Sequence, residues 1–261
     1  MLQIKHVSKT FNLTGNKEDL RVALDDVSLK IEKGEFVTVI GGNGSGKSTL
    51  MNIISGVFPP DQGKVLIDGK DVSNLLEYQR AKYLGRVFQD PSMGTAPMMS
   101  ILENLEIAYR RDKKKTLKWG FSKDHEDLYI KKLKSLNLGL ETRLNQKVGL
   151  LSGGQRQAIT LLMATLKKPK LLLLDEHTAA LDPKTSKIVL DLTEDIVKEN
   201  KLTTIMITHN MKDAIKYGNR LIMLSNGKII LDVKGPEKAK LTIEDLLHKF
   251  ENDEDISIPL V

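Results

Sequence analysis

The stretch Phe36-Val37-Thr38-Val39-Ile40-Gly41-Gly42-Asn43-Gly44-Ser45-Gly46-Lys47-Ser48-Thr49 decides the reading of this chain. Its first five residues are apolar or β-branched, as in a buried strand. The strand runs straight into glycines. Beyond them, Leu50, Ile53 and Ile54 recur at helical spacing until Gly56. Strand, glycine-rich turn and helix are the context required by G-x-x-x-x-G-K-[ST], which Gly41 to Ser48 fits. Glycines let backbone N–H groups turn toward an anion with no Cβ in the way. The helix adds its positive end. Lys47 can reach β- and γ-phosphates, and Ser48 can ligate Mg2+. Nucleotide phosphates are therefore the expected ligand.

Outward from that core, Leu2 to Phe11 and Val22 to Ile31 read as half-buried strands. Lys64 to Val72 reads as a hairpin turning at Asp68-Gly69, and Leu221 to Val233 as another around Asn226-Gly227. Leu171 to Leu174 and Thr203 to Thr208 read as further strands. The middle, 91–150, is Lys-rich and helical in pattern. Thr242 with Asp245 opens a last helix whose apolar face is Ile243, Leu246, Leu247 and Phe250. The residues after it read as a loose tail. The expected class is α/β.

Composition sets limits. Lys plus Arg is 40 and Asp plus Glu 34 in 261 residues, a net charge of +6 that allows anionic partners without choosing one. There is no cysteine, which excludes a disulfide framework, a zinc knuckle and thiol catalysis. No run approaches the roughly 20 apolar residues of a spanning helix. The N-terminus lacks a signal peptide's apolar stretch.

A second phosphate-type helix end lies at Leu151-Ser152-Gly153-Gly154-Gln155, where Ser152 is a good N-cap for a helix over 155–166. On these two motifs the sequence resembles the ATP-binding subunits of ABC transporters, whose signature the second one is. The resemblance covers nearly the whole chain. It implies a P-loop NTPase (ABC ATPase) core at 1–90 and 151–235 with an antiparallel β subdomain. A helical subdomain at 91–150 carries the signature at its end, and a C-terminal helix and tail occupy 236–261, all within one ABC ATPase domain over 1–261.

The resemblance also assigns roles. Phe11 falls at the adenine-stacking aromatic, a role that needs only a π face near the pocket; the alternative is a core aromatic. Gly41, Gly42, Asn43, Gly44, Ser45, Gly46, Lys47, Ser48 and Thr49 form the ATP phosphate loop. Asp175, ending Leu171 to Leu174, holds Mg2+ with Ser48 and Gln89. Glu176 is the general base, and His209 the switch residue sensing the γ-phosphate. Asp182 belongs to the loop coupling two sites. Ser152, Gly153, Gly154 and Gln155 complete the site of an opposite subunit in a head-to-tail dimer, a homodimer in the simplest case.

The implied partners are an integral membrane permease and an extracytoplasmic substrate-binding protein. The implied place is the cytoplasmic face of the membrane. Met93 to Met99 falls near the permease-docking cleft. Gly85 to Pro97 resembles a bacterial branch of importers, some linked to aromatic amino acids such as tryptophan. His177 departs from the family's proline after the base. Alternatives are an exporter subunit and an ATPase acting on nucleic acid or ribosomes. The latter is disfavoured, because one cassette without inserted coiled coils or zinc-binding cysteines leaves no nucleic-acid module. The run Arg110 to Lys115, with Trp119 and Phe121 beyond, reads as a solvated loop rather than a lipid contact. His6, His125 and His248 read as surface residues.

Overall fold

The computed structural model describes residues 1–12, 19–111 and 123–251. In chain order it contains β1 (Leu2–Asn12), β2 (Leu20–Ile31), β3 (Phe36–Gly41), α1 (Lys47–Ser55), β4 (Gln62–Ile67), β5 (Lys70–Asp71), α2 (Glu77–Arg80) and β6 (Leu84–Val87). Then follow α3 (Ile101–Tyr109), α4 (Lys123–Lys134), α5 (Gly153–Thr165), β7 (Leu171–Asp175), α6 (Pro183–Asn200) and β8 (Thr203–Ile207). The last elements are α7 (Met211–Lys216), β9 (Arg220–Ser225), β10 (Lys228–Lys234), α8 (Pro236–Ala239) and α9 (Ile243–Glu251). They fall into two compact units: Met1–Tyr83 with the described residues from Leu202 onward, and Leu84–Lys201.

The first unit holds two sheets. One is antiparallel, in the order β2-β1-β4-β5. Its turn at Asp68-Gly69 has φ of 49° and 76°, the left-handed pair that lets two-residue hairpins match strand twist. In the other, β3 lies between β8 and β9 and runs parallel to both, with Val39 opposite Ile207 and Ile222. Antiparallel β10 extends β9. Phe36 to Ile40 and all of β8 are buried, as expected for parallel strands covered on both faces. Thr38 is the polar exception in β3, and its hydroxyl donates to the Ala214 carbonyl at 2.9 Å. Ile40, Ala214, Leu221, Met223, Leu246 and Phe250 form one apolar cluster, so α7 and α9 cover this sheet. The expected cap of α9 is present: the Asp245 N–H donates to Thr242 Oγ1 at 3.2 Å.

The far end of α1 is fixed by Arg80, which is fully buried. Its guanidinium donates to the carbonyls of Ile53 (2.6 Å), Ile54 (2.9 Å), Ser73 (2.9 Å) and Leu75 (2.8 Å). Burial pulls its pKa down to about 10. The last carbonyls of α1, orphaned by helix geometry, thereby gain a charged donor.

In the second unit β6 and β7 pair in parallel, Leu84 opposite Leu171. Helices α3, α4 and α5 share a core that includes Ile101, Leu105, Tyr129, Leu133 and Ile159. The described residues of 91–150 lie within this unit. Among the described residues of this unit, one charged side chain is buried. Glu106 accepts from Tyr129 Oη (2.7 Å) and Arg110 Nε (2.6 Å), and its Oε2 lies 3.0 Å from His125 Nδ1. His125 is thus half-buried in a polar cluster, not the surface residue expected, whereas His6 and His248 are exposed. Most of the basic loop, including Trp119 and Phe121, and the tail beyond 251 lie outside the described residues.

Candidate functional site

In the first unit, β3 delivers the glycine-rich loop and α1 begins at Lys47. Gly46 caps α1 with φ 102°, a conformation natural to glycine. A Cβ there would lie 2.5 Å from the Ala23 carbonyl and 2.8 Å from Leu24 Cδ2, so the position is closed sterically as well. Lys47 is buried, and its ammonium donates to the carbonyls of Gly41 and Gly42, both at 2.8 Å. The cation therefore sits inside the turn of the loop, where an incoming phosphate would meet it. Asn43, Gly44 and Ser48 are exposed, Gly42 and Thr49 are half-buried, and Ser45 is buried.

Support for this loop comes from a place the sequence did not indicate. The Gly227 N–H, in the β9–β10 turn, donates to the Ser45 carbonyl at 3.1 Å. The Asp25 N–H donates to the Gly227 carbonyl at 3.0 Å. A hairpin signal such as Asn226-Gly227 is local, and nothing in it reports what the turn touches. Arg21 is a second such residue. It pairs across the strands with Phe11, and its guanidinium lies where a Cβ on Gly44 would go. Phe11 is half-buried, edge-on to Phe58 with ring centroids 5.3 Å apart. His209 is exposed, two residues beyond β8. Because β8 is parallel to β3, His209 lies at the same strand ends as the phosphate loop.

In the second unit the four leucines of β7 are fully buried and end at half-buried Asp175 and Glu176. Asp175 Oδ2 accepts from Arg86 Nη2 at 3.2 Å. Glu176 has φ 45°, a left-handed backbone uncommon outside glycine. His177 is buried, and burial pushes its imidazole down to about 4, so it is neutral at physiological pH. Its Nε2 lies 3.1 Å from Thr193 Oγ1. Gln89 is exposed, beyond the end of β6. The carbonyl of Phe88 before it accepts from Gln157, a fully buried residue of α5, at 3.1 Å.

The signature turn forms a capping box. The Gln155 N–H donates to Ser152 Oγ, and Gln155 Oε1 accepts from the Ser152 N–H, each at 3.3 Å. Ser152 and Gly153 are exposed. Gly154 is buried, and a Cβ there would run into Thr185 Cγ2 of α6. Helix packing thus gives Gly154 a reason that the phosphate reading had not supplied. Asp182 caps α6, accepting from the Thr185 N–H at 3.1 Å. The hydrogen bonds from Thr185 hold its carboxyl below the usual range.

Each unit, taken by itself, offers a donor that suits Mg2+. The hydroxyl of Ser48 and the carboxylate of Asp175 are hard oxygen ligands of the kind Mg2+ takes alongside phosphate oxygens. Asp175 already holds a cation, the Arg86 guanidinium.

Comparison with known proteins agrees. A family model described as ABC transporter matches residues 24–179. A tyrosine transport ATP-binding protein of Clostridioides difficile (strain R20291) is 50% identical over 252 residues, covering 96% of this chain and 99% of that protein. The phosphonates import ATP-binding protein PhnC of Alcaligenes faecalis is 33% identical over 242 residues, covering 92% and 84%. A solved structure of the cassette MJ0796, a protein of Methanocaldococcus jannaschii, is a dimer in a post-hydrolysis state bound to ADP and Pi. It matches with a TM-score of 0.73 at 32% identity, covering 90% of this chain and 98% of that one.

Proposed function

The chain belongs to the ABC transporter family as an ATP-binding subunit that hydrolyses ATP with Mg2+, and from that premise we propose that it powers uptake of an aromatic amino acid such as tyrosine. The observation that carries the solute is the end-to-end 50% identity to a tyrosine transport ATP-binding protein. No helix among the described residues is long and apolar enough to cross a membrane. In this reading, supported by the likeness to ATP-binding subunits of import systems, a separate integral membrane permease carries the solute, with this chain at its cytoplasmic face and an extracytoplasmic binding protein delivering the solute.

The reaction is in-line attack of water on the γ-phosphate, where catalysis is positioning and charge stabilisation. Lys47 and the amides of Gly42 to Thr49 bind the β- and γ-phosphates. Phe11 stacks on adenine. Ser48, Asp175 and Gln89 would hold Mg2+, which would supply positive charge against the phosphates. Glu176 orients the attacking water and takes its proton. His209 contacts the γ-phosphate. Ser152, Gly153, Gly154 and Gln155 serve the nucleotide of a second copy of the chain, and Asp182 couples the two sites. Two features support the dimer: the exposed, capped turn at Ser152-Gly153 and the dimeric cassette among the matching structures. Exposed Met93 and Met98 are an adaptable surface for the permease.

The test is to purify the tagged chain from membranes, identify what accompanies it, and reconstitute that complex in liposomes. ATP-driven accumulation of labelled tyrosine, absent with the Glu176→Gln chain, is the expected result. Recovery with ribosomal proteins and no permease would overturn the proposal, as would ATP-driven efflux.

A further inference from the structure

We infer that Arg86 sets the divalent-cation requirement of this ATPase, its guanidinium competing with Mg2+ for the carboxylate of Asp175. The inference deepens the proposed function and rests on Asp175 being a metal-holding residue.

Arg86 is the one charged residue of β6, which otherwise reads Leu84-Gly85-Val87. It lies opposite Leu173 in the parallel pair, two residues short of Asp175 on the neighbouring strand. That offset lets its long side chain reach Asp175, where Nη2 donates to Oδ2 at 3.2 Å. The two side chains are only 13% and 20% exposed, so water and salt screen the pair far less than a surface ion pair. On its other side the guanidinium carbon lies 4.7 Å from the Phe88 ring centroid, a cation–π contact that fixes its position. The guanidinium brings a delocalised positive charge to the carboxylate.

A metal ion arriving at Asp175 therefore meets an oxygen already engaged by a donor, and a like charge close behind it. In a partly desolvated setting that repulsion persists over several ångströms. Mg2+ is held by only one or two carboxylates besides phosphate, so weakening one of them is felt in its affinity. A neutral side chain at 86 would bind the ion more tightly. The contrary physics, in which Arg86 orients Asp175 and thereby strengthens the metal site, predicts the opposite change.

Mn2+ is the probe, its free concentration read by electron paramagnetic resonance. It is titrated into the full-length chain saturated with a non-hydrolysable ATP analogue. Arg86→Gln should lower the Mn2+ Kd by roughly 3- to 10-fold, the scale of one nearby charge at partial exposure. Arg86→Lys, which keeps the charge, should stay within about twofold of the parent chain. Arg86→Met carries the same expectation as Arg86→Gln if the latter does not fold. An unchanged or raised Kd in the neutral variants overturns the inference. Asp175→Asn separates the two levels: if it binds Mn2+ as the parent does, the metal reading of Asp175 falls and the inference with it. If binding needs Asp175 yet ignores residue 86, the inference alone falls.

Discussion

Phe11 is half-buried with its edge toward Phe58 and Lys9 Nζ 5.5 Å from its ring centroid, so both packing and stacking roles are available to it. Kinetics distinguishes them. A platform under adenine stabilises ground and transition states alike, so Phe11→Ala should raise KM for ATP and leave kcat within about twofold. A steady-state assay returning an unchanged KM would make the ring a packing residue. His177 poses the corresponding question beside Glu176. The Thr193 hydroxyl spends its hydrogen on the Val189 carbonyl at 2.7 Å, so the bond to His177 must be donated by Nε2–H. Thr193→Val strands that buried N–H, and urea unfolding at neutral pH should register a loss of about 1–3 kcal/mol. Adding His177→Leu should remove part of the penalty, because deleting both partners is milder than deleting one. Equal or larger losses in the double variant would mean the bond does not carry the stability assigned to it.

Among elements, α5 and α6 meet where Gly154 faces Thr185. Gly154→Ala should force them apart and lower stability by about 1–3 kcal/mol, the usual cost of overpacking. Thr185→Ser, which removes the offending methyl, should recover much of it in thermal melts. No recovery would shift the need for glycine from packing to the backbone's approach to phosphate. This pair also marks what was legible in the sequence. The β3–loop–α1 unit, both left-handed hairpin turns, the caps at Ser152 and Thr242 and the end of α1 at Gly56 were readable, because residues a few positions apart determine each. The Arg86–Asp175 pair spans 89 positions and the Tyr129–Glu106 bond 23. Composition and periodicity are blind to such meetings, which strand pairing and helix packing create. For that reason His125 is half-buried where its sequence neighbourhood reads as surface, and the support Gly227 gives to Ser45 has no local signal.

For the whole molecule, the family and its chemistry follow from two short motifs in the right order, confirmed by likeness across nearly the full length. What the chain does as a machine turns on the claim that ATP joins two copies and that Glu176 ends that state by hydrolysis. Glu176→Gln keeps size and hydrogen bonding but removes the carboxylate proposed as the base, so hydrolysis should drop by two or more orders of magnitude. Binding should survive, because Lys47 and the loop amides are untouched. The most direct measurement is light scattering coupled to size exclusion on Glu176→Gln, with and without Mg2+ and ATP, alongside the same chain carrying Ser152→Arg. The account predicts an ATP-dependent dimer for the first and a monomer for the second, whose arginine blocks the α5 terminus. A Glu176→Gln chain hydrolysing at the parent rate, or a dimer indifferent to Ser152→Arg, would contradict it.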